Sequence, residues 1–317
     1  MVAYVIRRLL QAILIVVIVS ILVFILIRLL PGDPIEMLAL NSQAYDIDAL
    51  IAHIRAEMGL DKPLIVQYTT WFGGAIRGNL GISLLYRYDI AAEIGNRLPI
   101  TLFIGLTAFI ISIALGLLLG IVCAIKRGTW IDNLLTVVAN IGITAPQFWV
   151  GIALIFLLGL TLQVLPIYGY VEFASDPVKS IRSIIMPVIV LSHHPIASSM
   201  RQTRASVLEV LKEDYVRTAW SKGLRQKTII MRHVLKNALM PVVTLQGMNL
   251  RNIVGGSAVV ETIFVIPGMG KLLVDAILAR DYTVVQGVML VLSITVVIAN
   301  LIVDLIYGWL DPRIQYE

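Results

Sequence analysis

The chain has 317 residues, of which 58% are apolar and only 14% are charged, and its mean hydropathy is +0.89. A soluble domain carries about 25% charged residues, so this composition excludes an ordinary soluble globular protein and predicts an integral membrane protein. The net charge of +5 is typical of cytoplasmic loops in membrane proteins and does not require nucleic-acid binding. A single cysteine, Cys123, excludes an internal disulfide or thiolate metal cluster.

The first apolar segment, from about Leu9 to Leu30, follows Arg7 and Arg8. It is longer than the core of a cleaved signal peptide, which has roughly 7 to 15 residues. The sequence PGDP follows it, where a small-residue cleavage site would stand. We therefore predict a retained spanning helix.

The next segment, over residues 31–99, predicts a small helical lobe outside the membrane. In YDIDALIAHIRAEMGLDKP, Asp46 or Asp48 precedes apolar residues at helical spacing, and Gly59 and Pro63 follow them. The predicted apolar face consists of Ile47, Leu50, Ile51, Ile54 and Met58.

Five further spanning segments are predicted from runs of about 20 apolar residues. Pro146 should kink the third span, and Pro187 and Pro195 fall inside the fourth. The fifth is the weakest, because polar residues interrupt it. The segments run over Thr101–Ile125, Leu134–Leu160, Ile184–Met200, Leu239–Val260 and Val284–Tyr307.

The distribution of Lys and Arg beside these spans predicts that both termini face the cytoplasm. With this orientation the densest basic run, from Arg201 to Lys236, is cytoplasmic. The remaining inside residues are Arg7, Arg8, Lys126, Arg127 and Arg313.

The basic run itself has a helical pattern. Apolar residues at Val207, Leu208 and Leu211, continuing through Tyr215, Ala219 and Trp220, predict one amphipathic helix from Arg201 onward. Gly223 can adopt a positive φ and end it. A second helix is predicted after it, with Ile230, Val234 and Ala238 on one stripe.

This arrangement has two interpretations. A basic loop beside the membrane can bind anionic headgroups. The alternative is a docking surface for another protein, since small side chains let a short helix lie deep in the groove of a partner. The small residues Thr218, Ala219 and Ser221 precede Gly223 and favour this second interpretation.

Several motifs resemble a known family. DYVRTAWSKGL through RHVLKNALMPVVT resembles the cytoplasmic EAA loop of ABC importer permeases. GGSAVVETIFVIPGMGKLLVDAILARDYTVVQG and NLIVDLIYGWLDPRI are similar to the dipeptide, oligopeptide and nickel branch, as are YVIRRLL, LPGDP and GLDKPLIVQYTTWFGGAIRGNLGIS. The resemblance covers nearly the whole chain and does not specify a substrate.

The resemblance implies an importer with a second related permease, two cytoplasmic ATPase subunits and an extracytoplasmic solute-binding protein. ATP and Mg would bind the ATPases, and this chain would hold no cofactor. The cytoplasmic loop would couple the ATPases to the membrane helices. The implied coupling residues are Asp214, Tyr215, Thr218, Ala219, Lys222, Gly223 and Leu224.

The sequence gives little evidence for a nucleotide-binding site or a metal site in this chain. VIPGMGKLL lacks the first glycine and the final hydroxyl residue of a P-loop. His193 and His194 are adjacent, so on a helix they point about 100° apart and would not readily chelate one ion. We expect them to pack between helices, with a role in metal transport as the alternative.

Polar residues inside the membrane are functional hypotheses, because each is costly unless paired or hydrated. Arg251 stands where this branch typically has a small residue; it could line the pathway, pair with a carboxylate such as Asp304, or lie near an interface. The hypothetical translocation wall consists of Gln246, Asn249, Arg251 and Asn252. Structural roles are expected for Gly255, Gly256, Glu261, Pro267, Gly268, Asn300 and Asp304.

These observations predict an all-α protein of six transmembrane helices with the type I ABC importer permease fold. Residues 1–98 would form the first helix and the outer lobe, and residues 99–310 the permease domain with its coupling segment 201–238. The expected function is ATP-driven peptide import by alternating access across a prokaryotic inner membrane. The alternatives are nickel or metal chelates, glutathione or sugars as cargo, and an ion-gradient-driven secondary transporter.

Overall fold

The computed structural model describes residues 2–29, 49, 51–52, 55–56, 59–255 and 257–310, without the side chains of residues 2–3, 251–255 and 306–310. Most of the predicted outer helix, including Ile47, Leu50, Ile54 and Met58, lies outside the described residues, as does Gly256. The side chains of Arg251 and Asn252 are also outside them.

Long helices dominate the described part of the chain. In its first half they are α1 (Val2–Leu29), α2 (Leu64–Ile76), α3 (Ile90–Ile125) and α4 (Trp130–Thr144). Then come α5 (Gln147–Leu154), the π-helix π1 (Ile155–Thr161), α6 (Pro177–Val210), α7 (Asp214–Ser221), α8 (Gln226–Thr228) and the π-helix π2 (Ile229–Val234). The last helices are α9 (Leu235–Gly255), α10 (Ser257–Ile263), α11 (Met269–Leu278) and α12 (Tyr282–Leu310).

Four of the described helices are long and apolar enough to span a membrane. They contain the spans Tyr4–Leu29, Ile90–Ile125, Pro177–Val210 and Tyr282–Leu305. They match the predicted first, second, fourth and sixth spans. Pro187 and Pro195 remain inside α6 without ending it.

The predicted third span is bent. Helix α4 ends at Thr144, Pro146 caps α5, and the helices on either side of this break differ in direction by 108°. The kink predicted at Pro146 is confirmed, because proline cannot donate the helical hydrogen bond at that point. By length and composition this pair is either a fifth, broken span or a re-entrant segment.

The predicted fifth span corresponds to α9 and α10. It is not among the described helices that are apolar enough to cross a membrane. Its polar residues lower the hydropathy, as expected from the sequence. The described helices therefore support four or five spans, and the predicted six are not reached on this criterion.

Residues 1–100 and 268–317 form one compact unit, and residues 101–267 form a second. The predicted division into residues 1–98 and 99–310 stays a prediction. In the first unit, apolar residues of α1, α11 and α12 form a core with the start of α3. That core includes Val23, Ile27, Leu80, Ile90, Met269, Leu272 and Val288.

A buried carboxylate organises the loop before α3 in the first unit. Asp281, at the start of α12, is 1% exposed and accepts a hydrogen bond of 2.5 Å from the Ser83 hydroxyl. The backbone N–H groups of Leu84 and Leu85 also donate to it, each at 3.4 Å. Asp281 further accepts a bond of 3.3 Å from the N–H of Val284 and so caps α12.

Candidate coupling segment and interior polar sites

The predicted cytoplasmic helix is divided in the structure. Helix α6 ends at Val210, a turn covers residues 211–213, and α7 begins at Asp214. In the turn, Lys212 and Glu213 donate backbone hydrogen bonds to carbonyl groups three residues back. One amphipathic helix from Arg201 through Trp220 was therefore the wrong prediction, because these tighter bonds redirect the chain.

The inner face of α7 packs against the chain itself. Val216 is fully buried and Ala219 is 5% exposed. Their apolar cluster joins α7 to α3, α6, π2 and α9, so α7 is fixed to several long helices at once. The cluster consists of Ala124, Val207, Val216, Ala219, Ile229, Ile230, Val234, Leu235 and Ala238.

This cluster confirms the stripe predicted after Gly223. Ile230, Val234 and Ala238 are all buried there, although π2 replaces the regular α-helix over the first part of the segment. A side-chain bond adds a second tie: the Asn237 amide donates to the Tyr215 hydroxyl at 2.7 Å.

Gly223 ends α7 in the way predicted. Its φ is +75°, and the N–H groups of Gly223 and Leu224 donate to the carbonyl groups of Trp220 and Ala219 at 2.9 and 3.4 Å. This pair of bonds is the Schellman motif, which favours glycine because an L side chain is strained at positive φ. A β-carbon at Gly223 would have no atom within 4 Å, so the turn is open to solvent.

The outer face of α7 presents apolar and charged side chains together. Tyr215, Trp220 and Leu224 remain 41%, 45% and 37% exposed. The hydroxyl groups of Thr218 and Ser221 donate to backbone carbonyl groups of α7 itself. We call this exposed surface the α7 outer face. It consists of Asp214, Tyr215, Arg217, Thr218, Trp220, Ser221, Lys222, Gly223 and Leu224.

Six of the seven predicted coupling residues belong to the α7 outer face. Ala219 does not, because its side chain lies in the apolar cluster beneath the helix. Its small size therefore suits packing within the chain, and a partner would contact the residues around it.

An ion pair missed by the sequence analysis joins α4 and α6. The guanidinium group of Arg204 on α6 donates to both carboxylate oxygens of Asp132 on α4, with Nε–Oδ1 at 2.7 Å and Nη2–Oδ2 at 2.8 Å. The N–H of Gly128 donates to the same carboxylate at 3.1 Å. Asp132 is 2% exposed, so α4 and α6 are joined by a largely buried pair.

Two of the predicted pathway residues form a buried cluster with a serine. The Gln246 amide on α9 donates to the Ser199 hydroxyl on α6 at 2.6 Å, and the Asn249 amide lies 3.4 Å from it. Asn249 also donates to the Gln246 carbonyl oxygen at 3.3 Å. Since all three are at least nine-tenths buried, this arrangement links α6 to α9. Their place in a pathway, like that of Arg251 and Asn252, stays a prediction.

Close helix packing joins α6 to α3. A β-carbon on Gly116 of α3 would be 2.5 Å from the β-carbon of Ser199, and one on Gly120 would be 2.5 Å from that of Thr203. The two glycines are four residues apart, the small-residue spacing that lets membrane helices approach closely. This spacing was visible in the sequence as GLLLG and was not used.

The residues that were expected to have structural roles lie in different helices and turns. Glu261 on α10 is 2% exposed and accepts a 2.8 Å hydrogen bond from the Thr101 hydroxyl. Pro267 precedes Gly268, which is the N-cap residue of α11. Gly255 is the last residue of α9.

Asn300 and Asp304 both lie on α12, as predicted. Asp304 pairs with Arg8 of α1 at 3.2 Å, and its backbone carbonyl accepts a 2.9 Å bond from the Tyr4 hydroxyl. Asp304 therefore joins α12 to α1 through an ion pair with Arg8. The side-chain oxygen of Asn300 is buried and has no hydrogen-bond partner among the described residues.

His193 contacts the helix break at Pro146. Its Nε2 lies 3.2 Å from the carbonyl oxygen of Ala145, and its Nδ1 lies 2.6 Å from that of Val190. Which ring nitrogen donates depends on the tautomer of His193, and its ring lies between the helix break and the backbone of α6. Among the described residues, no three His, Cys, Asp or Glu side chains are grouped in a way that could hold a metal ion.

Two family models cover nearly the whole chain. Residues 1–105 match the N-terminal model of binding-protein-dependent transport system membrane components. Residues 116–316, which are more than half of the chain, match the model of the binding-protein-dependent transport system inner membrane component. The chain belongs to this family of ABC importer permeases. The permease is thus an all-α, multi-pass protein of the inner membrane with the type I importer permease fold, as predicted, and the described helices account for four or five of the six predicted spans.

Curated relatives of the permease have similar lengths. It is 40% identical over 317 residues, all of both chains, to a putative peptide transport system permease protein of Brucella abortus. It is 38% identical to a glutathione transport system permease protein of Escherichia coli over 100% of both chains, and to a di/tripeptide transport system permease protein of Pseudomonas aeruginosa over 94% of both. These relatives are transport subunits, which agrees with the expectation that the permease is not an enzyme.

Proposed function

We propose that this permease is one of two related membrane subunits of an ATP-driven importer that carries peptides into the cytoplasm by alternating access. The observation that carries the proposal is the α7 outer face, an exposed surface on a helix whose other face is fixed to the membrane helices. The names of the relatives support a peptide as cargo, since glutathione is itself a tripeptide.

The packing of α7 suits the transmission of movement. Val216 and Ala219 hold it against α3, α6 and α9, and the bond between Asn237 and Tyr215 adds a polar tie. A partner that moves α7 therefore moves these helices as well, because a packed cluster shifts as a body. The partner at this face would be one of two cytoplasmic ATPase subunits, which would hold the ATP and Mg.

The proposed orientation places α7 and both termini in the cytoplasm. The density of Lys and Arg around α7 supports it. The opposite membrane face would then receive the peptide from an extracytoplasmic solute-binding protein, and ATP binding would open the pathway toward that face.

The proposed pathway includes Gln246, Asn249, Arg251 and Asn252 on α9. Helix α9 carries these polar groups close together along the chain, and two of them already share a hydrogen bond. Opening of the pathway would transfer their hydrogen bonds from Ser199 to the amide groups of the peptide.

The experiment on the α7 outer face compares two substitutions of Gly223 in the importer reconstituted with its ATPases. Asn and Asp have nearly equal size, and both tolerate positive φ better than other residues. We expect Gly223→Asn to keep most of the ATP-driven uptake and Gly223→Asp to reduce ATPase association and uptake at least about tenfold, because an unpaired carboxylate would be buried in the interface.

Equal uptake by the two Gly223 variants would overturn the docking role of this face. Uptake by the permease in liposomes without ATPases, driven by an ion gradient, would instead establish a secondary transporter.

A second experiment addresses the pathway and the cargo. Uptake of peptides with a free C-terminal carboxylate should fall in Arg251→Ala and be largely retained in Arg251→Lys, which keeps the positive charge. Peptides with an amidated C-terminus should respond less to either change. Unchanged transport of the free-carboxylate peptides by Arg251→Ala would exclude pairing of Arg251 with the substrate.

A further inference from the structure

A large cavity lies in the unit formed by residues 1–100 and 268–317. Helices α1 and α2, the start of α12 and the segments at residues 59–62 and 79–84 line an open cavity of about 1320 Å³ near the C-terminal end of α1. Its apolar lining includes Ile21 and Ile25, and its polar and charged lining includes Arg28, Arg55, Asp61, Lys62, Gln67, Trp71 and Gln286. None of these residues has a role in the proposed coupling or pathway.

Arg28 supplies a positive charge at this cavity. Its guanidinium group donates to the Gln67 side-chain oxygen at 3.1 and 3.2 Å and to the Gln286 side-chain oxygen at 3.3 Å, and it stacks 3.8 Å from the centre of the Phe24 ring. These bonds use three of the five N–H groups of the guanidinium. Arg28 forms no ion pair with a carboxylate of the described residues. Asp61 and Lys62 also line the cavity and contribute one charge of each sign, so the cavity keeps the positive charge of Arg28.

Two further N–H groups at the cavity lack acceptors. The Nε1 of Trp71 and the Nε2 of Gln286 are buried and have no hydrogen-bond partner among the described residues. The Gln286 side-chain oxygen is already bonded to Arg28, and the whole residue is only 5% exposed. A buried donor without an acceptor is unfavourable, because it has lost its hydrogen bond to water. The cavity therefore presents a cation and several free donors, the chemistry that binds an anion.

The position of Arg28 along α1 sets its depth in the membrane. Arg8 and Arg28 are twenty residues apart on one helix, which corresponds to about 30 Å. The hydrocarbon core of a bilayer is also about 30 Å thick, so both arginines lie at the level of the headgroups.

The Phe24 ring that stacks on Arg28 belongs to an aromatic cluster, and such clusters are common at this level of the membrane. Tyr68 stacks on Phe72 with ring centres 5.5 Å apart and meets the edge of Phe24 at 5.4 Å. Trp71 lies 6.1 Å from Phe24. Tyr68, Trp71 and Phe72 belong to α2. Because aromatic side chains are enriched where a membrane meets water, the composition of α2 is typical of an interfacial helix.

The apolar part of the cavity continues along the surface of α1. Ile21 and Ile25 are one turn apart, line the cavity and remain 38% and 46% exposed. They extend from Arg28 toward the middle of the span. The cavity thus combines a cationic end at headgroup depth with an apolar surface at acyl-chain depth.

We propose that this cavity binds a membrane phospholipid. Its phosphate accepts hydrogen bonds from Arg28, Trp71 and Gln286, and one acyl chain lies along Ile21 and Ile25. The assignment of the lipid to the outer leaflet rests on the proposed orientation, whereas the binding itself does not depend on the transported cargo.

The test measures lipid binding to the purified importer by native mass spectrometry, with phosphatidylglycerol titrated into delipidated complexes. Arg28→Gln should weaken the apparent Kd about tenfold through loss of the charge. Trp71→Phe keeps an aromatic ring and removes one donor, and should weaken binding about two- to fivefold. The matched control is Arg77→Gln, an exposed arginine directly after α2, which should bind like the original chain.

Three outcomes would overturn the proposal. Equal lipid binding by the original chain, Arg28→Gln and Trp71→Phe would exclude the site. Displacement of the lipid by inorganic phosphate at the same concentration would show a free-anion site, and displacement by a peptide with a free carboxylate would show a substrate site. Because the measured quantity is lipid binding, failure of this proposal leaves the test of peptide uptake unaffected.

Discussion

Gly120 on α3 and Thr203 on α6 are so close that a β-carbon added to Gly120 would lie 2.5 Å from that of Thr203 and 2.7 Å from the carbonyl oxygen of Met200. Both distances are below van der Waals contact, and the second involves backbone. The approach of α3 to α6 therefore depends on the absence of a side chain at this position. Gly116, one turn earlier, meets Ser199 in the same way.

Gly120→Ala should destabilise the permease by about 1–3 kcal/mol, because the added methyl group forces the two helices apart. The matched control is Gly95→Ala on the same helix, where a β-carbon would meet no atom within 4 Å. Thermal unfolding of the detergent-solubilised protein would compare them. A Gly120→Ala variant as stable as Gly95→Ala would show that α3 and α6 are not in close contact.

Asp132→Asn or Arg204→Gln should each cost about 3–5 kcal/mol of stability, since either change leaves a largely buried partner charge unpaired. The pair between Asp176 and Lys179 offers the control, because Lys179 is 74% exposed and solvent screens such pairs. Lys179→Gln should leave the unfolding temperature unchanged. Equal effects at the two pairs would contradict the burial of Asp132.

Single cysteines on α7 should report which face is covered. The native Cys123 is buried and gives a low background. Thr218→Cys should react quickly with a membrane-impermeant maleimide in inside-out vesicles, and Ala219→Cys should react at least about tenfold more slowly, since buried thiols are poorly accessible.

Bound ATPase should protect Thr218→Cys if the α7 outer face is the docking surface. Labelling of Thr218→Cys only in right-side-out vesicles would reverse the proposed orientation. Equal reactivity at positions 218 and 219 would contradict the packing of α7.

Asp281→Ala should loosen the loop around Ser83, because it removes the acceptor for three separate donors in that loop. The expected cost is about 3 kcal/mol, and Asp281→Asn should cost less, as one acceptor oxygen remains. Limited proteolysis of the folded protein, followed by identification of the cleavage site, would detect opening of residues 83–85. If Asp281→Ala were cleaved no faster than the original chain, Asp281 would not anchor this loop.

The sequence predicted those features that depend on local patterns. The kink at Pro146 and the glycine stop at Gly223 follow from backbone constraints of single residues. The stripe of Ile230, Val234 and Ala238 follows from helical spacing. Each of these signals lies within a few residues of the feature it predicts.

Features that depend on distant partners were harder to predict. Arg204 was interpreted only as a marker of orientation, since nothing local indicates that Asp132, 72 residues earlier, would pair with it. The division of the cytoplasmic helix at residues 211–213 was missed because the apolar spacing continues across the turn. Burial of Ala219 within the chain could not be separated from burial by a partner, because both favour a small residue.

The spans differ in how much of their surface the chain itself covers. Of the most apolar 18-residue stretch in each helix, 67% is buried within the protein in α6, compared with 22% in α1 and 22% in α12. In a saturation mutagenesis experiment, α6 should therefore behave like the core of a soluble protein and reject most exchanges of size. Positions on α1 and α12 should accept any apolar residue along most of their length. Natural variation among permeases of different cargo should concentrate in these two helices for the same reason.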